Sequence, residues 1–227
     1  MTANPTWSRL AAGAAVDSAR REPYTRLSLE LYAGQEPRNA GPRRALRVAR
    51  REFLAGERVD MGALAAKLGV DRATLFRWVG NRDELVSEVI WSLCVRTWEG
   101  AVRGAEGTGV TRVVSVFHAF SSAVIEAGFF RAYLRRERDR ALRLLTTRAG
   151  VHQTRVIALF EGLLDAEQVS SGLRLPLPVR DTAYVITRIA ESFIYADLIV
   201  GEEPDAAKAA AAVGALLGSG SPEWTDR

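Results

Sequence analysis

Apolar positions recur at helical spacing along most of the chain, and no segment shows the alternation of a half-buried strand. "PRRALRVARREFLAG" (42–56) gathers Ala45, Val48, Ala49 and Phe53 on one face and leaves arginines on the others, with Pro42 suited to a first turn and Gly56 to a stop. Asp60 is placed to cap a short helix over 61–68 that Gly69 ends, and Asp71 to cap another over 72–79 that Gly80 ends. In "NRDE" (81–84) Asn81 takes the cap and Glu84 reaches back, the pattern of a capping box. A long amphipathic helix follows from about Asp83 to Arg103.

After the break "RGAEGTG" (103–109), helices are predicted over 110–128, over 129–147 as one or two, and over 152–172, 179–201 and 204–218. "LRLPLP" (173–178) reads as a loop, and Pro204 as a first-turn residue. The 110–128 segment is apolar on more than one face, which predicts burial. The fold class is all-α: a three-helix head with a helix-turn-helix, then a larger helical domain. The expected divisions are an N-terminal extension at 1–41, partly disordered with a short helix; the head at 42–84; the helical domain at 85–218; and a flexible tail at 219–227.

"LAAKLGVDRATLFRWVG" (64–80) carries the chemistry of the head. Two helices crossing steeply need a small residue where they touch, here Ala65, and a turn residue tolerant of positive φ, here Gly69. Leu64, Leu68, Val70 and Leu75 would pin the pair to the helix at 42–56. Arg72, Thr74 and Arg77 are left to face outward, where a major groove would lie.

Charge sharpens this picture. The net charge of the 227 residues is only +4, but residues 38–82 hold eleven basic and four acidic residues, a net of +7. A hairpin that only packs its own core has no reason to collect such an excess, whereas a polyanion does, because each phosphate contact releases counterions.

"MGALAAKLGVDRATLFRWVGNRDEL" resembles the DNA-binding domain of the TetR/AcrR family of regulators, in which a three-helix head precedes a long helix. "ATLFRWVGNRDELVSEVIW", "RALRLLTT" and "RIAESFIYADLIVGEEPD" resemble its QsdR-type branch, repressors linked to degradation of quorum-sensing lactones. The resemblance implies that 85–218 is an effector-binding and dimerisation domain, with operator DNA and a second copy of the chain as partners and an amphipathic effector such as an acyl lactone or a fatty-acid derivative. The sequence departs from the family where Phe76 stands: the usual Tyr there offers its hydroxyl to a phosphate. Trp78 replaces a common His or Tyr, and either reaches a phosphate through its indole N–H or packs against Leu75 and Leu85.

In the head, Arg72 and Arg77 are candidates for guanine edges or phosphate, Thr74 for a thymine methyl or phosphate, and Asp71 for the cap beneath them. Arg43, Arg44, Asn81 and Arg82 stand at helix starts suited to phosphate. Candidate effector-pocket walls are Trp91, Val95, Trp98, Phe117, Phe120 and Val124, with Phe130, Tyr133, Phe160 and Tyr184. Ser121, Thr187, Arg188 and Glu191 are the candidate polar groups, although simple core accounts for most of the aromatics and a mutual ion pair for Arg188 with Glu191. A dimer built from 179–201 and 204–218 would use Tyr195, Leu198, Ile199, Ala209, Val213 and Leu216.

Composition narrows the alternatives. An apolar content of 48% suits a folded globular chain. No apolar run reaches the roughly 18–20 residues that span a bilayer, and the Ala-rich start lacks a preceding basic segment; a cytoplasmic protein without a membrane partner is expected. Cys94 is the one cysteine, expected as a small buried hydrophobe, and His118 is expected as a core histidine. Neither His118 nor His152 has metal-ligand spacing to another ligand, and there is no phosphate loop or nucleophile elbow, so neither a metal, a cofactor nor catalysis is expected. "RRERDR" (135–140) reads as a solvated face. The rival reading is an all-helical adaptor whose head binds protein, which accounts for the helices but not for the head's charge.

Overall fold

The computed structural model describes Thr25, Leu27, Ser28, Leu31 and residues 40–147 and 150–218; the disorder expected over most of 1–41 and in 219–227 falls outside these residues. Among the described residues the chain is helical, with no strand. The helices are α1 Gly41–Leu54, α2 Met61–Leu68, α3 Arg72–Val79, α4 Arg82–Gly104, α5 Gly109–Glu126 and α6 Gly128–Arg136. They continue as α7 Arg138–Thr146, α8 His152–Ser171, α9 Val179–Ile194, α10 Ala196–Ile199 and α11 Ala206–Gly218. No single described helix is long and apolar enough to cross a membrane.

The helices form two compact units, Met1–Arg96 with Ala127–Arg155, and Thr97–Glu126 with Val156–Arg227. The first joins the α1–α3 head to the start of α4 and to α6 and α7. Its apolar floor is Ala45, Ala49 and Phe53 of α1, Leu64 and Leu68 of α2, and Leu75 and Val79 of α3, all buried. Phe53 meets the Tyr133 ring at 5.3 Å and the Phe129 ring at 5.9 Å, which seats α6 on α1. Glu88, its side chain fully buried, accepts from the Thr25 hydroxyl at 2.7 Å and pairs with Arg155 at 2.8 Å, while the Arg155 guanidinium lies 5.3 Å over the Trp91 ring. Burial pushes the Cys94 thiol up to about 12, partly offset by Arg155, so it stays protonated as an inert apolar group.

In the second unit α11 packs on α5 and α9. Small residues on α11 allow the approach: a Cβ on Gly214 would stand 3.7 Å from Val114. Trp98, Phe117, Phe120 and Phe160 interlock, the Trp98 ring meeting Phe160 edge-to-face at 4.9 Å and Phe120 at 5.5 Å. Glu167 ties α8 to the start of α5 by accepting the Gly109 N–H at 2.7 Å and pairing with Arg112 at 3.3 Å.

Several expectations need correction. The 179–201 segment is not one helix: at Tyr195 the backbone shifts to φ −105°, ψ 17°, and one further turn follows before Gly201. The 204–218 helix begins at Ala206 and is capped by Asp205, which accepts the Lys208 N–H, rather than opening on Pro204. His118 is exposed and not a core residue, because Val116, Phe117 and Phe120 turn the buried face of α5 away from it. Ala209 and Val213 are fully buried on the stripe by which α11 packs within its own chain, so they are not surface for a second copy.

Candidate nucleic-acid interface

The turn at Gly69 sets the geometry of the head. Its φ of 70° and ψ of 33° lie in the left-handed region, which an L side chain enters only at a cost, and its N–H closes α2 on the Ala66 carbonyl. Asp60 caps α2 by accepting from Gly62 N and Ala63 N, both at 2.8 Å, and Asp71 caps α3 by accepting from Thr74 N at 2.7 Å. These amide hydrogen bonds, joined at Asp71 by the Thr74 hydroxyl and opposed by burial, hold both carboxyls below their usual values. Asn81 caps α4 by accepting the Glu84 N–H, and Glu84 returns to accept from the Asn81 side-chain amide at 2.9 Å.

With Leu75 and Val79 buried, α3 turns Arg72, Ala73, Phe76 and Arg77 outward, all exposed. The Thr74 hydroxyl is engaged locally, donating to Asp71 at 2.9 Å and accepting from Arg77 Nη2 at 3.3 Å. Arg72 folds toward the start of α2: a Cβ on Gly62 would fall 2.5 Å from its Nη2, and its charge acts on Asp60. Trp78 packs on Gly41, the first residue of α1, where a Cβ would fall 2.5 Å from the ring.

Arg43 and Arg44 are exposed on the first turn of α1, and Arg47 and Arg51 are exposed further along it. The nearby acids are largely committed. Asp60 and Asp71 cap helices, and buried Glu52 accepts from Lys67 at 2.8 Å. The excess of basic over acidic residues across 38–82 makes the net charge of this segment positive.

Arg82 is a correction. Its fork is closed on Glu137 by two hydrogen bonds of 2.6 Å, and its Nε–H donates to the Val59 carbonyl at 2.6 Å. It is a clamp between the start of α4 and the α6–α7 joint, not a phosphate positioner. In the run 135–140 Arg135, Arg136, Arg138 and Asp139 are exposed, as expected of a solvated face, but the run also makes contacts at this joint. Arg136 donates to the Gly56 carbonyl at 2.6 Å and the Glu57 carbonyl at 3.2 Å, and Arg140 pairs with Asp83. Burial pushes the Glu137 carboxyl up, but Arg82, with Arg58 and Arg140, more than offsets this and holds it low. Glu137 and the Glu88–Arg155 pair were missed by sequence reasoning, because no local spacing marks partners so distant along the chain.

The candidate pocket residues divide between the units. Trp91, Val95, Phe130 and Tyr133 fall in the first, where Trp91 lies under Arg155 and Tyr133 packs on Phe53, so both rings serve its core. In the second unit Trp98, Phe117, Phe120 and Phe160 pack against one another. Val124 is half-buried. The buried Ser121 hydroxyl has no hydrogen-bond partner, while buried Thr187 donates to the Ala183 carbonyl at 2.8 Å. Arg188 and Glu191 form an ion pair, as their spacing suggested. Tyr184 and Arg188 are exposed on α9, so they do not line the interior of this unit. Of the interface candidates, Tyr195 and Leu198 are buried, Leu216 is half-buried and Ile199 is exposed. Among the described residues no group of three or more His, Cys, Asp or Glu is placed to hold a metal ion.

Comparisons with known proteins agree with this geometry. Residues 108–218 match the family described as Tetracyclin repressor-like, C-terminal domain. The fold is similar to the solved structure of the R. erythropolis transcriptional repressor QsdR from the TetR family, at 31% identity and a TM-score of 0.72, over 78% of this chain and 93% of that one. No curated protein is matched.

Proposed function

Since the chain belongs to the TetR family of transcriptional regulators, we propose that it is a repressor that binds an operator as a homodimer and is released by a small amphipathic effector. The observation that carries the DNA-binding part is the outward set of arginines on α1 and α3, in a segment of net charge +7 whose acids are mostly consumed by caps and ion pairs. In this reading Arg43, Arg44 and Asn81 position the head on phosphates, and Arg77, with Arg72 swung outward, reaches base edges.

The dimer surface we propose is the outward face of α9, with Tyr184, Val185, Ile189 and Ser192, continued by exposed Ile199 and Val200. These residues replace Ala209 and Val213 as the candidates. Two heads on one dimer would read two half-sites.

The effector site is proposed within the second unit, beside Trp98, Phe117, Phe120 and Phe160. The partnerless buried hydroxyl of Ser121 supports a ligand with one polar group and an apolar body. The resemblance to the QsdR-type branch supports an acyl lactone or fatty-acid derivative. A ligand of either kind releases DNA only by preferring the conformer whose heads do not match the half-sites.

The test is a binding titration of the full chain with DNA from upstream of its own gene, with and without a γ-lactone. The expected result is sequence-specific binding that the lactone weakens. Binding indifferent to the lactone would remove this effector class and keep the regulator. Equal affinity for operator and unrelated DNA, with random-sequence selection yielding nothing, would overturn the DNA-binding reading in favour of a protein-binding adaptor.

A further inference from the structure

The DNA-facing helix α3 has an unusual distribution of free chemistry. Its polar groups are engaged close to home: the Thr74 hydroxyl sits between Asp71 and Arg77, the Asp71 carboxylate caps the helix, and Arg72 lies over Gly62. Its large indole is turned back onto Gly41. Between the exposed arginines Arg72 and Arg77, the outward face is apolar. Phe76 is 44% exposed, and exposed Ala73 stands three residues before it, so the two are neighbours on one helical face.

Nearly half of Phe76 lies outside the packing of the head. Leu75 and Val79, fully buried, already anchor α3 to the head. A phenyl ring has no donor for a phosphate, so it does not add to the arginines' work. It gains only if its apolar surface is covered. The occupant follows from the charge around it: a segment of net +7 selects DNA over a protein patch of ordinary charge. In the major groove the apolar group offered by the bases is the thymine 5-methyl, which Phe and Ala side chains recognise by contact.

We propose that Phe76, with Ala73 beside it, is a specificity-determining residue that reads a thymine 5-methyl in each half-site. The inference rests on the DNA-binding reading above and goes beyond it, because it names the base and the atom recognised. It also gives Phe76 a role that a phosphate-binding tyrosine at this position would not have.

The experiment uses the full chain and an operator obtained by random-sequence selection. Each thymine is replaced in turn by deoxyuridine, which removes the 5-methyl alone and leaves every hydrogen-bonding edge intact. At one thymine per half-site the wild type is expected to lose about fourfold in affinity, the value of one buried methylene-sized group. Phe76→Ala is expected to bind thymine and deoxyuridine operators equally, and thermal unfolding of the variant checks that the head stays folded. The inference is overturned if no thymine position responds while specific binding persists, or if Phe76→Ala keeps the full deoxyuridine penalty. Failure to select any sequence would overturn the DNA-binding reading itself, and this inference with it.

Discussion

Gly41 and Trp78 show how one residue sets the pose of α3. The indole covers the first residue of α1, leaving no room for a Cβ. Gly41→Ala is expected to destabilise the chain by about 1–3 kcal/mol through overpacking. Thermal unfolding checks this, and the penalty should shrink in a Trp78→Leu background, where the ring is absent. Sequence reasoning placed Trp78 on either a phosphate or on Leu75 and Leu85. It missed Gly41, which looks from its neighbours like an ordinary helix start. By contrast Asp60, Gly69, Asp71 and Gly80 were legible, because caps and stops act within four residues of themselves.

Among the elements, the joint between α6 and α7 does more than connect them. Glu137 closes on Arg82, Arg136 holds the carbonyls after α1, and Arg140 pairs with Asp83. Three points of contact tie α6–α7 to the head and to the start of α4. Glu137→Ala would leave the largely buried Arg82 fork without its carboxylate, at a cost of about 3 kcal/mol. A denaturant titration of the full chain should show this loss, and Glu137→Gln should recover part of it. The helices on either side were legible from their period, whereas this clamp was not: the run 135–140 has the composition of a solvated face, and its partners lie more than fifty residues away. The break at Tyr195 was equally silent, with no Gly or Pro to announce it.

At the scale of the whole molecule, the buried groups give stability a pH dependence. Burial, with the Arg155 charge adding to it, pushes the His152 pKa down to about 4 from an ordinary 6.5. Between those values the unfolded chain binds the proton that the folded chain refuses, so stability is full above about pH 6.5 and is lost as pH falls toward 4. Glu137, held low in the fold, adds a further loss once the pH drops below the ordinary carboxyl range. Thermal scans should therefore show the midpoint falling between pH 7 and 5, and His152→Phe should flatten that slope while keeping a ring against Trp91.

The all-helical plan and the basic head follow from patterns local to the sequence, and the similarity to a TetR-family repressor extends over most of the chain. The residues that would hold an effector were less legible, since core aromatics and pocket aromatics share one sequence pattern and only packing separates them.

The central claim is that the head binds DNA through its exposed arginines. It is tested most directly by the affinity for the selected operator across a series of salt concentrations, with a scrambled duplex of equal length as the control. The account predicts that log affinity falls linearly with log salt, at a slope of about −0.9 for each phosphate contacted, and that the operator remains favoured over the scrambled duplex throughout. An affinity indifferent to salt, or one that does not distinguish the two duplexes, would contradict it.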